Sequence, residues 1–199
     1  SKEAATSEGV MQGMRLRGSD NISYHIADMM RNIEAGIRGF LVYDEGMLWL
    51  AGQMRKDGAL PKDIIFKASA HLGHCNPCSF KMLESLGADS INPVRDLQIP
   101  MIAALRAAVS VPLDVHTDNP PASGGFIRVY EAPEIVRVGA PLHCKTGNSV
   151  VSAHGSLTSA TDGRRMADQA SIVVEMLNKY CPDLKQSQKG SEDLAIPVI

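Results

Sequence analysis

The densest group of reactive side chains lies between His71 and Cys78, a segment that contains two histidines and two cysteines. Imidazole nitrogen and thiolate sulfur are donors that zinc binds, and Cys-x-x-Cys supplies half of many zinc sites. No second Cys-x-x-Cys occurs in the sequence. Two alternatives stay open: a divalent metal bound by His71, His74 and His116, or a metal-free His71 that transfers protons or binds substrate.

A second group is the run Asp114-Val-His116-Thr-Asp118-Asn119. Side chains two residues apart on a strand point to the same side, so Asp114 and His116 should act together. Such a pair can bind a divalent cation with His71, or it can orient an imidazole for proton transfer. A purely structural network at the end of the strand is the alternative. We predict His71, Asp114 and His116 as catalytic residues.

Basic residues at two further strand ends indicate carbonyl or anion chemistry. Lys145 could form a Schiff base with a carbonyl substrate, and Arg95 could hold a carboxylate or phosphate with two hydrogen bonds. A buried Lys67 or Lys145 must pair with a carboxylate such as Asp114 or lose its charge. Lys145 is therefore a fourth predicted catalytic residue. The predicted substrate-binding residues are polar groups at the strand ends: Asp44, Glu45, Lys67, Ser69, Asn92, Arg95, Asp118, Asn119 and Thr146.

The elements that must position these residues repeat one pattern, a short apolar strand followed by an amphipathic helix. Strands are predicted to start near residues 40, 64, 89, 111 and 141. Strands that alternate with helices predict a parallel sheet and an α/β fold. A doubly wound dinucleotide-binding sheet would need Gly-x-Gly-x-x-Gly, which is missing from the sequence. Polar side chains at the end of every predicted strand instead favour a TIM-type (β/α) barrel.

Five units do not complete an eight-stranded barrel, so the chain is predicted to hold about five C-terminal β-α units. The open edges of such a sheet require further N-terminal units outside this sequence or a partner chain, and we expect an oligomer in the second case. Residues 1–18 are expected to form a flexible arm or loop. A partial barrel should follow over 19–182, with its first helix capped by Ser19 or Asp20, and a C-terminal tail over 183–199.

Composition excludes several function classes. The 199 residues are 44% hydrophobic and 21% charged, with a net charge of −2. No basic surface for nucleic acid is therefore expected, and no apolar run is long enough to cross a membrane. Four cysteines are too few for a disulfide-stabilised protein of this length, which indicates a reducing, cytoplasmic setting.

Several runs resemble the collagenase-like peptidases of family U-thirty-two: 69–74, 86–96, 112–118, 124–126 and 131–134, within a resemblance that covers roughly 40–199. The runs Leu-Gly-Ala-Asp-Ser and Asn-Pro-x-Arg-Asp are its most specific part. The resemblance implies a TIM-like barrel and a peptidase, or an RNA- or quinone-hydroxylating protein with an iron-sulfur cluster on four cysteines. The cysteine spacing here differs from that of the cluster-bearing members, which argues against such a cluster.

Three functional hypotheses follow. The first is a barrel enzyme related to the family U-thirty-two peptidases, a hydrolase assisted by a divalent metal. The second is a lyase or aldolase that acts on a small acid through Lys145 or a metal. The third is a non-catalytic barrel subunit of a larger assembly. In the first two, the partner is a small molecule or a peptide.

Overall fold

The computed structural model describes residues 4–6, 9–11, 15–153, 156–188, 190–191 and 194–197. Two short strands, β1 (Ala4–Thr6) and β2 (Gly9–Met11), pair antiparallel to each other. The main sheet has five parallel strands: β3 (Gly39–Val42), β4 (Ile65–Ala68), β5 (Ser90–Ile91), β6 (Leu113–His116) and β7 (Leu142–Lys145).

Six α-helices accompany the strands in the described chain: α1 (Gly18–Glu34), α2 (Glu45–Lys56), α3 (Pro77–Ser85), α4 (Ile99–Ala108), α5 (Ala132–Gly139) and α6 (Ala160–Tyr180). The helices α2 to α5 each connect one strand of the main sheet to the next. None of the helices in the described residues is long and apolar enough to cross a membrane.

The order of the strands distinguishes the two candidate architectures. Strands β3 to β7 lie side by side in the order of the chain. A doubly wound sheet reverses this order at a switch point, whereas a (β/α) barrel continues in one direction. The predicted α/β fold with five units in the arrangement of a TIM-type barrel is therefore confirmed. Within the described residues, β3 and β7 are the edge strands.

Local sequence signals explain where most helices begin. The carboxylate of Asp44 accepts a hydrogen bond from the Met47 amide at 2.9 Å and caps α2. Asn76 caps α3 in the same way, with a proline at the first helical position. The predicted cap of α1 was wrong: Arg17 occupies this position, without a side-chain hydrogen bond, and the helix already includes Ser19 and Asp20.

The sheet has two chemically different faces. On the outer face, apolar side chains pack against the helices and form the core, including Phe66, Ala68, Ile91, Leu113 and Val115. The inner face alternates with it and contains Lys67, Ser90, Asn92, Asp114, His116, His143 and Lys145. The register places Lys67 beside Ser90, Asp114 beside His143, and His116 beside Lys145. The inner face is therefore polar from β4 to β7.

Part of the predicted C-terminal tail lies against this inner face. The Nε2 atom of His143, on β7, is 2.8 Å from the carbonyl oxygen of Leu194. At the opposite edge of the sheet, a Cβ atom on Gly39 would lie 2.5 Å from Cγ of Pro197. Residues 194–197 therefore pass across the inner face from the last strand to the first.

The segment predicted as an arm, 1–18, contains the β1–β2 hairpin and the first residue of α1. Its strands are only three residues long, too short to show the alternation from which strands are predicted. Among the described residues of this segment, Arg15 and Leu16 contact the main fold. Arg15 donates to the Leu72 carbonyl oxygen at 3.1 Å, and the Leu16 amide donates to Asp44 at 3.1 Å.

Candidate functional site

An ion pair on the inner face forms the centre of the candidate site. Nζ of Lys67, on β4, lies 2.5 Å from Oδ1 of Asp114, on β6. The Asp114 side chain is 1% exposed, whereas that of Lys67 is 32% exposed. The strand β5 lies between the two and carries the small side chain of Ser90 at this level, which leaves room for the pair to meet. The alternation of side chains predicted this pairing, and the structure brings the two residues together.

Lys145, on β7, lies in the field of this ion pair. Burial lowers the pKa of Lys145 below its ordinary value, because the interior disfavours the charged ammonium form. The negative charge of Asp114 opposes this effect, and the positive charges of Lys67 and Arg95 add to it. A lysine in this environment has a larger neutral fraction, and only the neutral amine is a nucleophile. We call Lys67, Arg95 and Lys145 the cationic cluster.

Arg95 brings a histidine into the same site. Its Nη2 atom is 3.1 Å from Nε2 of His71, and its pKa is lowered by burial. The ring of His71 also stands edge-on to Tyr43, with 5.8 Å between the ring centres. Nε of Arg95 is buried without a hydrogen-bond partner among the described residues. Arg95 therefore brings His71 next to the cationic cluster.

Two buried side-chain oxygen atoms on the inner face accept no hydrogen bond from the described residues. Oδ2 of Asp114 and Oδ1 of Asn92 have no hydrogen-bond partner within the described chain, and both residues are at most 2% exposed. The amide nitrogen of the Asn92 side chain donates to the Ala68 carbonyl oxygen at 3.3 Å, which directs the oxygen away from that contact. His116, 4% exposed, lies beside Lys145 in the register of the sheet. Of these groups, Asp114 acts on Lys145 through its charge, and His116 is the neighbour of Lys145 on the adjacent strand.

A separate group forms the rim of the site. Oε1 of Glu45 lies 2.6 Å from Nε2 of His74, and Oε2 lies 2.8 Å from Nη1 of Arg15. Glu45 follows β3, whereas His74 belongs to the loop after β4. The ring of His74 contacts Glu45, so it connects two loops at the rim of the site. His74 is therefore not part of the centre of the site.

Four of the predicted substrate-binding residues make structural contacts. Asp44 caps α2, and the Ser69 hydroxyl accepts from the His71 amide at 3.2 Å. Asp118 accepts from the Ser149 amide at 2.7 Å and from its hydroxyl, also at 2.7 Å. The amide group of the Asn119 side chain donates to the carbonyl oxygen of Ser123 in the same loop. These contacts hold the loops after the strands in place, and their roles toward a substrate remain predictions. Thr146 is half-buried, and its hydroxyl has no partner in the described part of the chain.

The geometry does not assemble the predicted metal ligands. Among the described residues, no group of three His, Cys, Asp or Glu side chains is arranged to hold a metal ion. His71 lies with Arg95, and His74 lies with Glu45. Cys75 and Cys78 are exposed at the start of α3, whereas Cys181 is buried against the Pro133 carbonyl oxygen at 3.3 Å. The predicted ligands His71, His74 and His116 therefore do not form a metal site in this arrangement. The chemical steps proposed below involve no metal.

Sequence reasoning missed three residues that shape the site. Tyr43 packs against His71, Arg15 holds Glu45, and Arg128 donates to the Leu97 carbonyl oxygen at 2.7 Å. Tyr43 could have been found, because it follows β3 at the same strand end as Asp44. Arg15 and Arg128 act over 30 or 31 positions along the chain, and no local pattern indicates such contacts.

The chain matches no protein-family model and no curated protein. Solved structures similar to it include a U32 peptidase, Mk0906, at 19% identity and a TM-score of 0.39, over 50% of this chain and 37% of that one. The YdjI aldolase from Escherichia coli is similar at 16% identity and a TM-score of 0.42, over 83% and 64%. The carboxyl transferase domain of Rhizobium etli pyruvate carboxylase is similar at 16% identity and a TM-score of 0.45, over 88% and 36%. The chain thus spans less than two thirds of each of these proteins, and at these scores no residue role is carried over from them.

Proposed function

We propose that this chain belongs to a (β/α) barrel enzyme whose Lys145 forms a Schiff base with a small anionic carbonyl compound, as a lyase or aldolase does. One observation carries this proposal: a half-buried lysine of lowered pKa lies in the cationic cluster beside the carboxylate of Asp114. Arg95, at the same place, supplies a guanidinium for the carboxylate of a 2-oxo acid.

The chemistry follows from the groups present. The neutral amine of Lys145 attacks the carbonyl carbon, the carbonyl oxygen takes up two protons and leaves as water, and a protonated imine remains. This imine accepts the electron pair released when a bond at the neighbouring carbon breaks, either a C–C bond or a C–H bond. Asp114 and His116 are the groups near the amine that can hold or transfer the protons. Lys67 forms an ion pair with Asp114, and its positive charge favours the neutral amine of Lys145.

The hydrolase hypothesis is a second candidate, supported by the family resemblance of the sequence and by the shared orientation of Asp114 and His116 on β6. A metal-assisted hydrolase would need ligands other than the three predicted histidines. Elemental analysis of the purified protein tests it: a stoichiometric divalent metal would favour hydrolysis, and its absence would count against it. In either case, we propose that the open edges of β3 and β7 are covered by further barrel units or by a partner chain, as the third hypothesis also requires.

Reductive trapping tests the Schiff base directly. Pyruvate, the smallest 2-oxo acid, is incubated with the protein and borohydride, and the product is analysed by mass spectrometry. We expect one adduct, equal in mass to pyruvate less one oxygen atom after reduction, on the peptide that contains Lys145. Lys145→Met should abolish the adduct, whereas Lys62→Met, which removes an exposed lysine, should not. An adduct that persists in Lys145→Met, or none in the wild-type chain, would contradict the proposal.

A further inference from the structure

A cleft opens next to the cationic cluster, between the segment after β5 and the segment after β6. Its volume is about 630 Å³, within the range of sites that bind small molecules. Arg95 lines this cleft and also reaches His71 in the candidate site. The cleft and the candidate site therefore share Arg95.

The other walls of the cleft are largely apolar. Ile99, Phe126, Ile127 and Tyr130 line it, and the side chains of Ile127 and Tyr130 are 53% and 66% exposed. When a ligand covers large apolar groups that face water around a concavity, the burial of their surface makes the free energy of binding more favourable. The walls thus favour an apolar or aromatic group.

The cleft is held in shape without a ligand. Arg128 is 8% exposed and joins its two sides, since Nη1 donates to the Leu97 carbonyl oxygen at 2.7 Å and Nη2 lies 2.5 Å from Glu131. The Arg128 amide donates to the Thr117 carbonyl oxygen at 2.7 Å, which ties the segment after β6 back to its strand. A preformed cavity of this kind loses little free energy to ordering when a ligand binds.

Charge restricts the ligand further. Asp96 and Glu131 both line the cleft, and Arg128 compensates Glu131. A second negative group on a ligand would add to the negative charge that Asp96 already brings to the lining of the cleft. The cleft therefore disfavours dicarboxylates and favours an uncharged side group, while the single carboxylate of the ligand binds Arg95.

We propose that this cleft selects the side group of the substrate, so that the preferred ligand is a 2-oxo acid with an apolar or aromatic side group. The inference rests on the proposed function for the reaction at Lys145, and it assigns Ile127 and Tyr130 as specificity-determining residues. The carbonyl group of the ligand lies at Lys145, its carboxylate at Arg95, and its side group against Ile127 and Tyr130.

The experiment compares three acids in the borohydride reaction: pyruvate, phenylpyruvate and 2-oxoglutarate. We expect phenylpyruvate to reach half-maximal trapping at a concentration at least about tenfold below that of pyruvate, as burial of a phenyl group predicts. We expect 2-oxoglutarate to be trapped no better than pyruvate. Ile127→Asp should remove the advantage of phenylpyruvate over pyruvate. Tyr24→Ala, which replaces a residue that is 69% exposed on α1, is the control and should keep that advantage.

A second measurement separates this inference from the proposed function. 3-Phenylpropanoate has the carboxylate and the ring but no carbonyl group, so its binding by calorimetry does not depend on Lys145. If Ile127→Asp weakens the binding of 3-phenylpropanoate, the role of the cleft is supported, even when no acid is trapped. The absence of trapping would overturn only the proposed Schiff base at Lys145. Equal trapping of pyruvate and phenylpyruvate would overturn the inference that the cleft selects the side group, and it would leave the Schiff base in place. The absence of 3-phenylpropanoate binding would also overturn the inference about the cleft.

Discussion

Neighbouring residues on β7 show how one physical effect gives two opposite chemical results. Lys145 faces the polar inner face, and Cys144 faces the helices. Burial lowers the pKa of the Lys145 ammonium group and raises the pKa of the Cys144 thiol to about 11. In both cases the interior disfavours the charged form. The amine therefore becomes a better nucleophile, and the thiol becomes a poorer one.

The lowered pKa of Lys145 predicts how stability depends on pH. Between the lowered folded pKa and the ordinary value near 10.5, the unfolded chain binds more protons at this position than the folded chain. The contribution of Lys145 to the free energy of unfolding therefore rises with pH across this window, and below it the burial penalty is fully present. We expect Lys145→Met to be more stable than the wild-type chain at pH 7, with a smaller difference at pH 10, as measured by urea denaturation.

The control for that measurement is Lys62→Met, which removes a lysine that is exposed at the surface. A smaller stability gain in this variant would attribute the effect to the inner face rather than to the loss of positive charge. A Lys145→Met variant that is less stable than the wild-type chain at both pH values would show that Asp114 contributes more at this position than burial.

The alternation of side chains predicts much of the site at this scale. It places Lys67, Asp114 and Lys145 on one face, and the structure shows them there. It cannot predict that His71 lies with Arg95 while His74 lies with Glu45, because those side chains leave loops whose paths depend on the whole fold. Asp118 illustrates the same limit, since the backbone amide that it accepts from belongs to Ser149, 31 positions away.

The strands of the main sheet begin within two residues of their predicted starts, because the alternation that predicts them is a local signal. The helix α6 (Ala160–Tyr180) begins at a capping box formed by Ser159 and Asp162, which is also a local signal. The strand β5 contains only Ser90 and Ile91. Hydrogen bonding between strands decides that length, and the composition of the strand does not contain this information.

Two glycines in helices give a prediction with opposite signs. A Cβ atom on Gly52, in α2, would overlap the carbonyl oxygen of Leu86 at the end of α3, whereas a Cβ atom on Gly163, in α6, would meet no atom of the described structure within 4 Å. Alanine favours a helix over glycine by about 1 kcal/mol, but the overlap at Gly52 should cost about 1–3 kcal/mol. We expect Gly163→Ala to raise the melting temperature and Gly52→Ala to lower it in calorimetry. A stabilising Gly52→Ala would mean that α2 and α3 are less closely packed than described.

At the scale of the whole molecule, the main sheet of the described residues has two open edges, β3 and β7, and residues 194–197 of the chain contact both edge strands. Residues 194–197 contact His143 on the edge strand β7 and lie against Gly39 on the other edge strand, β3. The predicted tail has no sequence feature that indicates this contact, because its binding depends on the shape of a surface made by distant strands. In its described part, the segment links the two edge strands of the sheet, so we expect it to contribute to the stability of the sheet.

A double-mutant cycle tests this contribution. Ending the chain after Gln188 removes the acceptor of His143 and uncovers the inner face, which should lower the free energy of unfolding by about 1–3 kcal/mol. Gly39→Ala places a methyl group against Pro197, so in the full chain it should also be destabilising. In the shortened chain this obstacle is absent, and alanine in a strand should be neutral or slightly stabilising there. We therefore expect the two changes to be strongly non-additive in urea denaturation. Additive effects would show that Pro197 and Gly39 do not meet in solution, and that the segment does not hold the first strand to the last.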